Sequence, residues 1–297
     1  AFDRRKVKDL GGMGGWVVIS GIGSLLFIQI DLIVVNLLFG ATSAGEYAIV
    51  LQWGVLLRSV AGVLSGVLTP TVLACYARKQ TETLIQVTKS AVKLMGLAMA
   101  LPIGLVCGLA PLLLTVWVGE EFASLSPLMV LLTVHLSINL AVLPLFPINI
   151  AYNRVRIPGL VMFFTGIGNF GLAIALPLLT GLGYYGVAAA GAIVLTLKNT
   201  FFTPWYATRV LGVGVHTFTR SMLPGIMATG LIGVAAATLG AVLPLPTLAT
   251  LAVAGAAIAL IYLVAVWEIG LSEFERRLFE SYLPLTLRRI IVRDHLS

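Results

Sequence analysis

Long apolar stretches come in pairs along this chain, and the sign of the charge between them alternates. Within each pair the connection carries no Lys or Arg, whereas the segments between pairs are basic. Of the 19 Lys and Arg residues, 17 fall in residues 4–8, 78–93, 154–156, 209–220 and 276–293. Loops that retain Lys and Arg stay on the cytoplasmic side of a bilayer, so this alternation is a topology map. Eight spans are expected, at about 12–40, 45–74, 90–118, 124–152, 157–179, 185–208, 221–240 and 246–270. Each exceeds or approaches the roughly 20 residues that cross a hydrocarbon core. The even number places both termini of the chain in the cytoplasm, with the protein in the cytoplasmic membrane.

Composition agrees. The chain is 59% hydrophobic and 10% charged, too little charge to cover a soluble domain of this length. Backbone groups in lipid must be satisfied internally, which makes the fold class an all-α, polytopic membrane helix bundle. The net charge of +7 belongs to one membrane face, where anionic lipid attracts it, and not to nucleic-acid binding. Cys75 and Cys107 lie in or beside apolar helices without a CxxC spacing and read as buried structural thiols. The chain opens at Ala1, not Met, inside a basic run, which predicts that a further N-terminal portion precedes it.

Pro70, Pro102, Pro111, Pro144, Pro147 and Pro177 lie in or near spans and predict kinks. Two segments have the pattern of basic amphipathic helices on a membrane surface. In 79–93, Leu84, Val87 and Ala91 recur at helical spacing beside Lys89 and Lys93. In 272–297, Leu278, Phe279, Tyr282, Leu283, Leu287 and Ile290 mix with Arg276, Arg277, Arg288, Arg289 and Arg293.

The polar residues inside the spans are more telling. Asp31 lies ten residues from the Ala41 connection, about 15 Å at the helical rise, near the middle of a core about 30 Å thick. A lone carboxylate there costs roughly 3 kcal/mol and must find a partner or water. Gln52 and Arg58 in span two, His135 and Asn139 in span four, Asn169 in span five, and Lys198 and Asn199 in span six fall at similar depth. Spans seven and eight contribute none. An aqueous cavity walled by spans one, two, four, five and six is expected, with the last two spans peripheral. Two readings of Asp31 are open: a structural ion pair with Arg58, or a coupling-ion site. The common role of such a His or Asn is an interhelical hydrogen bond. With Asp31 given to Arg58, Lys198 has no acidic partner at its depth, and an anion in the cavity would satisfy it. Arg58, Lys198, Gln52, His135, Asn139, Asn169 and Asn199 are therefore the candidate substrate-binding residues. No HExxH, GxSxG or GxxxxGK[ST] motif occurs and no acidic loop suits a divalent metal, so neither an enzyme nor a cofactor is expected.

Four motifs in order carry a family resemblance: Asp31 to Gly40 followed by Gly45-Glu46-Tyr47 and Pro70; Pro111 through Trp117-Val118-Gly119-Glu120-Glu121-Phe122; Asn169; and Gly183-Tyr184-Tyr185-Gly186-Val187-Ala188. Over roughly residues 15–210 the chain resembles the polysaccharide transport proteins, the O-antigen or lipid-linked oligosaccharide flippases related to the MATE exporters of the MOP superfamily. The resemblance implies that residues 15–210 form the second six-helix bundle of that fold. Residues 211–271 would be two additional C-terminal helices, 1–14 a cytoplasmic basic linker and 272–297 a cytoplasmic amphipathic tail. It implies a flippase working by alternating access. The implied partners are a polyprenyl (pyro)phosphate-linked glycan and membrane lipid, with glycan-assembly enzymes as further partners. Arg58 and Lys198 match no motif of the family, and their assignment rests on charge and depth. The alternative is a cation-coupled MATE-type exporter of small amphiphiles, with Asp31 as its coupling carboxylate; a third reading is a scaffold for glycan-assembly enzymes.

Overall fold

The computed structural model describes residues 4–242 and 247–276, and all of its regular structure is helical. Seven helices are long and apolar enough to cross a membrane. The first, Arg4–Ala77, would run about 110 Å if straight. It breaks at Gly40, where φ is 85° and ψ 174°, a conformation open to glycine and almost nothing else. The Tyr47 hydroxyl stands 3.4 Å from an Asp31 carboxylate oxygen. Those positions are about 24 Å apart on a straight helix, so the two arms fold back as a hairpin. We call the arms α1 (4–39) and α2 (41–77). The remaining helices are α3 (Thr81–Gly108), α4 (Glu120–Ala151), α5 (Arg156–Thr180), α6 (Tyr184–Leu211), α7 (Thr217–Val242) and α8 (Leu248–Gly270). The bundle is thus all-α, with the hairpin arms and six further helices matching the eight expected spans.

The alternation of charge along the chain becomes two ends in space. At one end Tyr184 donates to Glu46 at 3.1 Å, and Trp53 meets Trp117 edge-on at 5.7 Å. These contacts gather the α1–α2, α3–α4 and α5–α6 connections, and we call this the acidic end. At the other, Tyr76 packs on Tyr152 at 4.7 Å, and the Tyr206 hydroxyl donates to the Arg154 carbonyl at 3.2 Å. This is the basic end.

Several sequence expectations are refined. Helix already begins at Arg4, within the stretch 1–14 expected as a linker. Residues 81–93 form no independent surface helix, because they are the first turns of α3 and their apolar positions Leu84 and Ala91 pack inward. At 28 residues α3 is about 42 Å long, so it outreaches the hydrocarbon core. The tail beyond Arg276 lies outside the described residues. Pro70, Pro102 and Pro177 sit within continuous helices. Breaks occur instead at Pro111, where Ala110–Trp117 starts anew, and through α4, where Pro144 and Pro147 withhold backbone donors.

The last two helices stand apart from the cavity, yet α7 is not loosely attached. A Cβ on Gly225 would lie 2.5 Å from the backbone of Gly96, and one on Gly108 would strike the Gly233 carbonyl. Backbones this close are the usual result of small residues at a membrane helix interface. Helix α8 is bound more lightly, through Leu251 and Ala254 and through the Tyr262 hydroxyl, which donates to the Leu97 carbonyl at 2.7 Å. Beyond it, Lys93 pairs with Glu275 at 2.7 Å. Glu275 also accepts from the Ser272 backbone N–H at 2.8 Å.

Candidate functional site

The polar residues of the interior fall into two linked sites. The first surrounds Asp31, which is buried between α1, α2 and α5. Asn169 donates its amide to Oδ1 at 3.0 Å, and Tyr47 faces Oδ2 at 3.4 Å. Gly191 of α6 makes room for them: a Cβ there would sit 3.1 Å from Oδ2. The expected ion pair with Arg58 is not made, since the one salt bridge among the described residues is Lys93–Glu275. Neutral donors hold Asp31 instead, and Asp31, Arg58 and His135 border a void of about 20 Å³, the size of one water. His135 bonds the Leu131 carbonyl through Nδ1 at 3.1 Å, and its Nε2 has no partner among the described residues.

The second site is a cavity of about 570 Å³ that runs from mid-bundle to the basic end. Its walls are α1, α2, α4, α5 and α6, the five helices that carry the polar layer in the sequence. Arg58 and Lys198 are its charged lining residues. Arg58 borders both sites, so it stands between the Asp31 void and the cavity. It makes no hydrogen bond and no ion pair within 4.0 Å among the described residues. Lys198 donates to the Asn199 side chain at 3.0 Å and lies 5.6 Å from the Phe146 ring centroid. It too meets no carboxylate within 4.0 Å among the described residues.

A chain of amides fixes this cation. Asn199 donates to Asn139 at 3.0 Å and accepts from Thr203 at 2.9 Å. Asn139 in turn donates to the His135 carbonyl at 2.9 Å and to Thr196 at 3.3 Å. That back-bond to the carbonyl four residues earlier competes with the helix, and α4 breaks at His135. In α6 the stretch Lys198–Phe202 is wound as a π-helix just before Pro204, the kind of local irregularity often found at functional sites.

The expected residues therefore divide. Arg58, Lys198, Asn139 and Asn199 share the cavity. Asp31 and His135 border the small void, and Asn169 serves Asp31. Gln52 belongs to neither, because it is exposed on the outside of α2. Six positions from Arg58 amount to 240° around the helix, which turns it from the interior. Depth alone did not reveal Tyr47, although the Gly45-Glu46-Tyr47 motif contains it. Asn149 and Trp16, which line the basic end of the cavity, lie far from mid-membrane and so carry no depth signal. Cys75 and Cys107 are free thiols, and no cluster of three or more metal-ligating side chains forms among the described residues.

Comparison with known proteins gives one relative to report. The chain is 39% identical over 224 residues to the protein named "Uncharacterized membrane protein EpsK" of Bacillus subtilis (strain 168). The match takes in 75% of this chain and 44% of that protein, so the chain spans less than half of its relative's length. No family model matches the chain, and no solved structure matches it. With apolar membrane-length helices throughout and a membrane protein as its relative, the chain is a multi-pass membrane protein.

Proposed function

We propose that this chain is the cavity-bearing part of a flippase, a transporter that carries a lipid-linked oligosaccharide or polysaccharide precursor across the membrane by alternating access. One observation carries the reading: Arg58 and Lys198 line a membrane-depth cavity with no carboxylate within 4.0 Å among the described residues. Cations at that depth are costly and mark substrate paths. A guanidinium fork and an ammonium suit the oxygens of a phosphate or pyrophosphate linkage. The four ordered motifs point to the same class. The polar head enters from the basic end, proposed as cytoplasmic, while the lipid chain stays in the bilayer, and no covalent step is involved.

Transport of a fluorescent polyprenyl-pyrophosphate glycan in vesicles holding the full-length protein tests this. Lys198→Ala and Arg58→Gln each remove a charge-assisted contact and weaken binding by about tenfold to a hundredfold. Unchanged transport in both variants, at normal expression, refutes the assignment.

The Asp31 void favours one second reading, a cation-coupled exporter of small amphiphiles. Asp31 would then be the group that a coupling cation or proton occupies, with Asn169 and Tyr47 holding it in place. Protection of cells against cationic amphiphiles, lost in Asp31→Asn and kept in Lys198→Ala, selects that reading over the flippase.

A further inference from the structure

The basic end of the cavity differs in chemistry from its middle. Among the described residues the charged ones that line it, Arg58 and Lys198, are both at mid-bundle. Asn149 lies ten residues beyond Asn139 on α4, about 15 Å along a helical rise. It is 8% exposed and lines the cavity. Its side chain makes no hydrogen bond among the described residues, and its Oδ1 is buried without a partner. An unmade bond of this kind is uncommon in a folded interior and calls for an explanation. The walls beside it are aromatic and hydroxyl-bearing: Trp16 and Ser20 from α1, Phe202 and Tyr206 from α6. Phe202 and Tyr206 stack at 5.5 Å with 19° between their planes. Arg156 is drawn over the Trp16 ring at 5.2 Å.

An amide offers both a donor and an acceptor and has no charge to match. Beside flat aromatic faces it fits a ring that is apolar on its faces and hydroxylated at its rim. We infer that Asn149, with Trp16 and the Phe202–Tyr206 pair, forms a second subsite that takes the first sugar ring of the substrate. The linkage phosphates sit deeper, at Lys198 and Arg58. This rests on the flippase reading and adds a division of labour to it: the cations bind every pyrophosphate lipid, and the Asn149 end selects for one that carries sugar.

Calorimetry on the detergent-purified full-length protein tests the division with two probes, farnesyl pyrophosphate and the same lipid bearing one hexose on its pyrophosphate. The native protein binds the hexose-bearing lipid about tenfold more tightly, the effect expected of one added hydrogen bond with the Asn149 amide together with ring contact on the aromatic walls. Asn149→Leu removes that margin and leaves the bare lipid's affinity unchanged. Trp16→Leu, at the cavity rim, reduces the margin too, and it decides the matter if Asn149→Leu does not fold. Lys198→Ala weakens both lipids equally and preserves the margin. A margin that survives in the folded variants, or equal affinities in the native protein, overturns the sugar subsite while phosphate binding stands. If Lys198→Ala alters neither lipid, it is the phosphate site that fails. If the native protein binds neither probe, both assignments fail.

Discussion

The two ends of the bundle are packed in opposite ways. At the acidic end α1 through α6 share one core that includes Val35, Tyr47, Leu114, Leu128, Ala173 and Val187. At the basic end a second core joins α2, α3, α4, α6 and α7 around Val72, Leu84, Ile148, Ala207 and Phe218, and among the described residues none of α1 or α5 belongs to it. Those two helices pack on each other instead. A Cβ on Gly23 would meet the Met162 carbonyl at 2.8 Å, and one on Gly159 the Trp16 carbonyl at 3.0 Å. The cavity is the space between this α1–α5 pair and the rest. Access at one end thus follows from how the helices are grouped into packets, and the polar layer lies where one packet becomes two.

Overpacking each end in turn is the hardest test of this contrast. Gly186→Val at the acidic end drives side-chain atoms into the backbone of Pro177, which a Cβ would already approach to 2.8 Å. A loss of about 3 kcal/mol is expected in thermal or denaturant unfolding in detergent. Gly62→Val on the cavity wall meets open space and should stay within about 0.5 kcal/mol. Equal losses would erase the distinction.

Water access is the next measure. With Cys75 and Cys107 replaced by alanine, Ser20→Cys on the cavity wall should react quickly with a charged thiol reagent, and Val35→Cys in the sealed core should not. A smaller effect comes from the Trp53–Trp117 pair that helps close the acidic end. Trp53→Ala removes about 1 kcal/mol of ring pairing and should raise the reactivity of Val35→Cys without changing that of Ser20→Cys.

The smallest effect concerns Glu275. Burial pushes its carboxyl up, but the Lys93 ammonium and the Ser272 N–H outweigh that, and its pKa ends below the usual glutamate value. A pKa lower in the folded state makes the pair stabilising above the unfolded glutamate pKa, and that contribution fades as pH falls through the folded value. Glu275→Gln should therefore cost up to about 1 kcal/mol near neutral pH and make unfolding less sensitive to acid below the ordinary glutamate range.

The spans and their pairing were legible because membrane helices must be long, apolar and flanked by asymmetric charge. The five helices around the cavity were legible because polar groups at mid-depth are costly and have to face one another. Depth does not tell which way a side chain points, so Gln52 was grouped with Arg58 although the helix turns it outward. Nor does it register Asn149, whose burial near a helix end arises from packing. The grip of α7 on α3 was hidden because Gly96 and Gly225 are ordinary residues of membrane helices. Only their apposition gives them meaning.

The π-wound stretch Lys198–Phe202 sets the angular phase of everything after it in α6. One residue more than a regular turn is absorbed there, and each residue is worth about 100° of rotation. At its start, Asn199 keeps the phase that aims it at Asn139; downstream, Tyr206 has a phase that the regular helix would not give it. Removing a single residue from this stretch would leave the length and hydropathy of α6 almost untouched. It would swing Tyr206 off the Arg154 carbonyl and take one wall of the cavity with it.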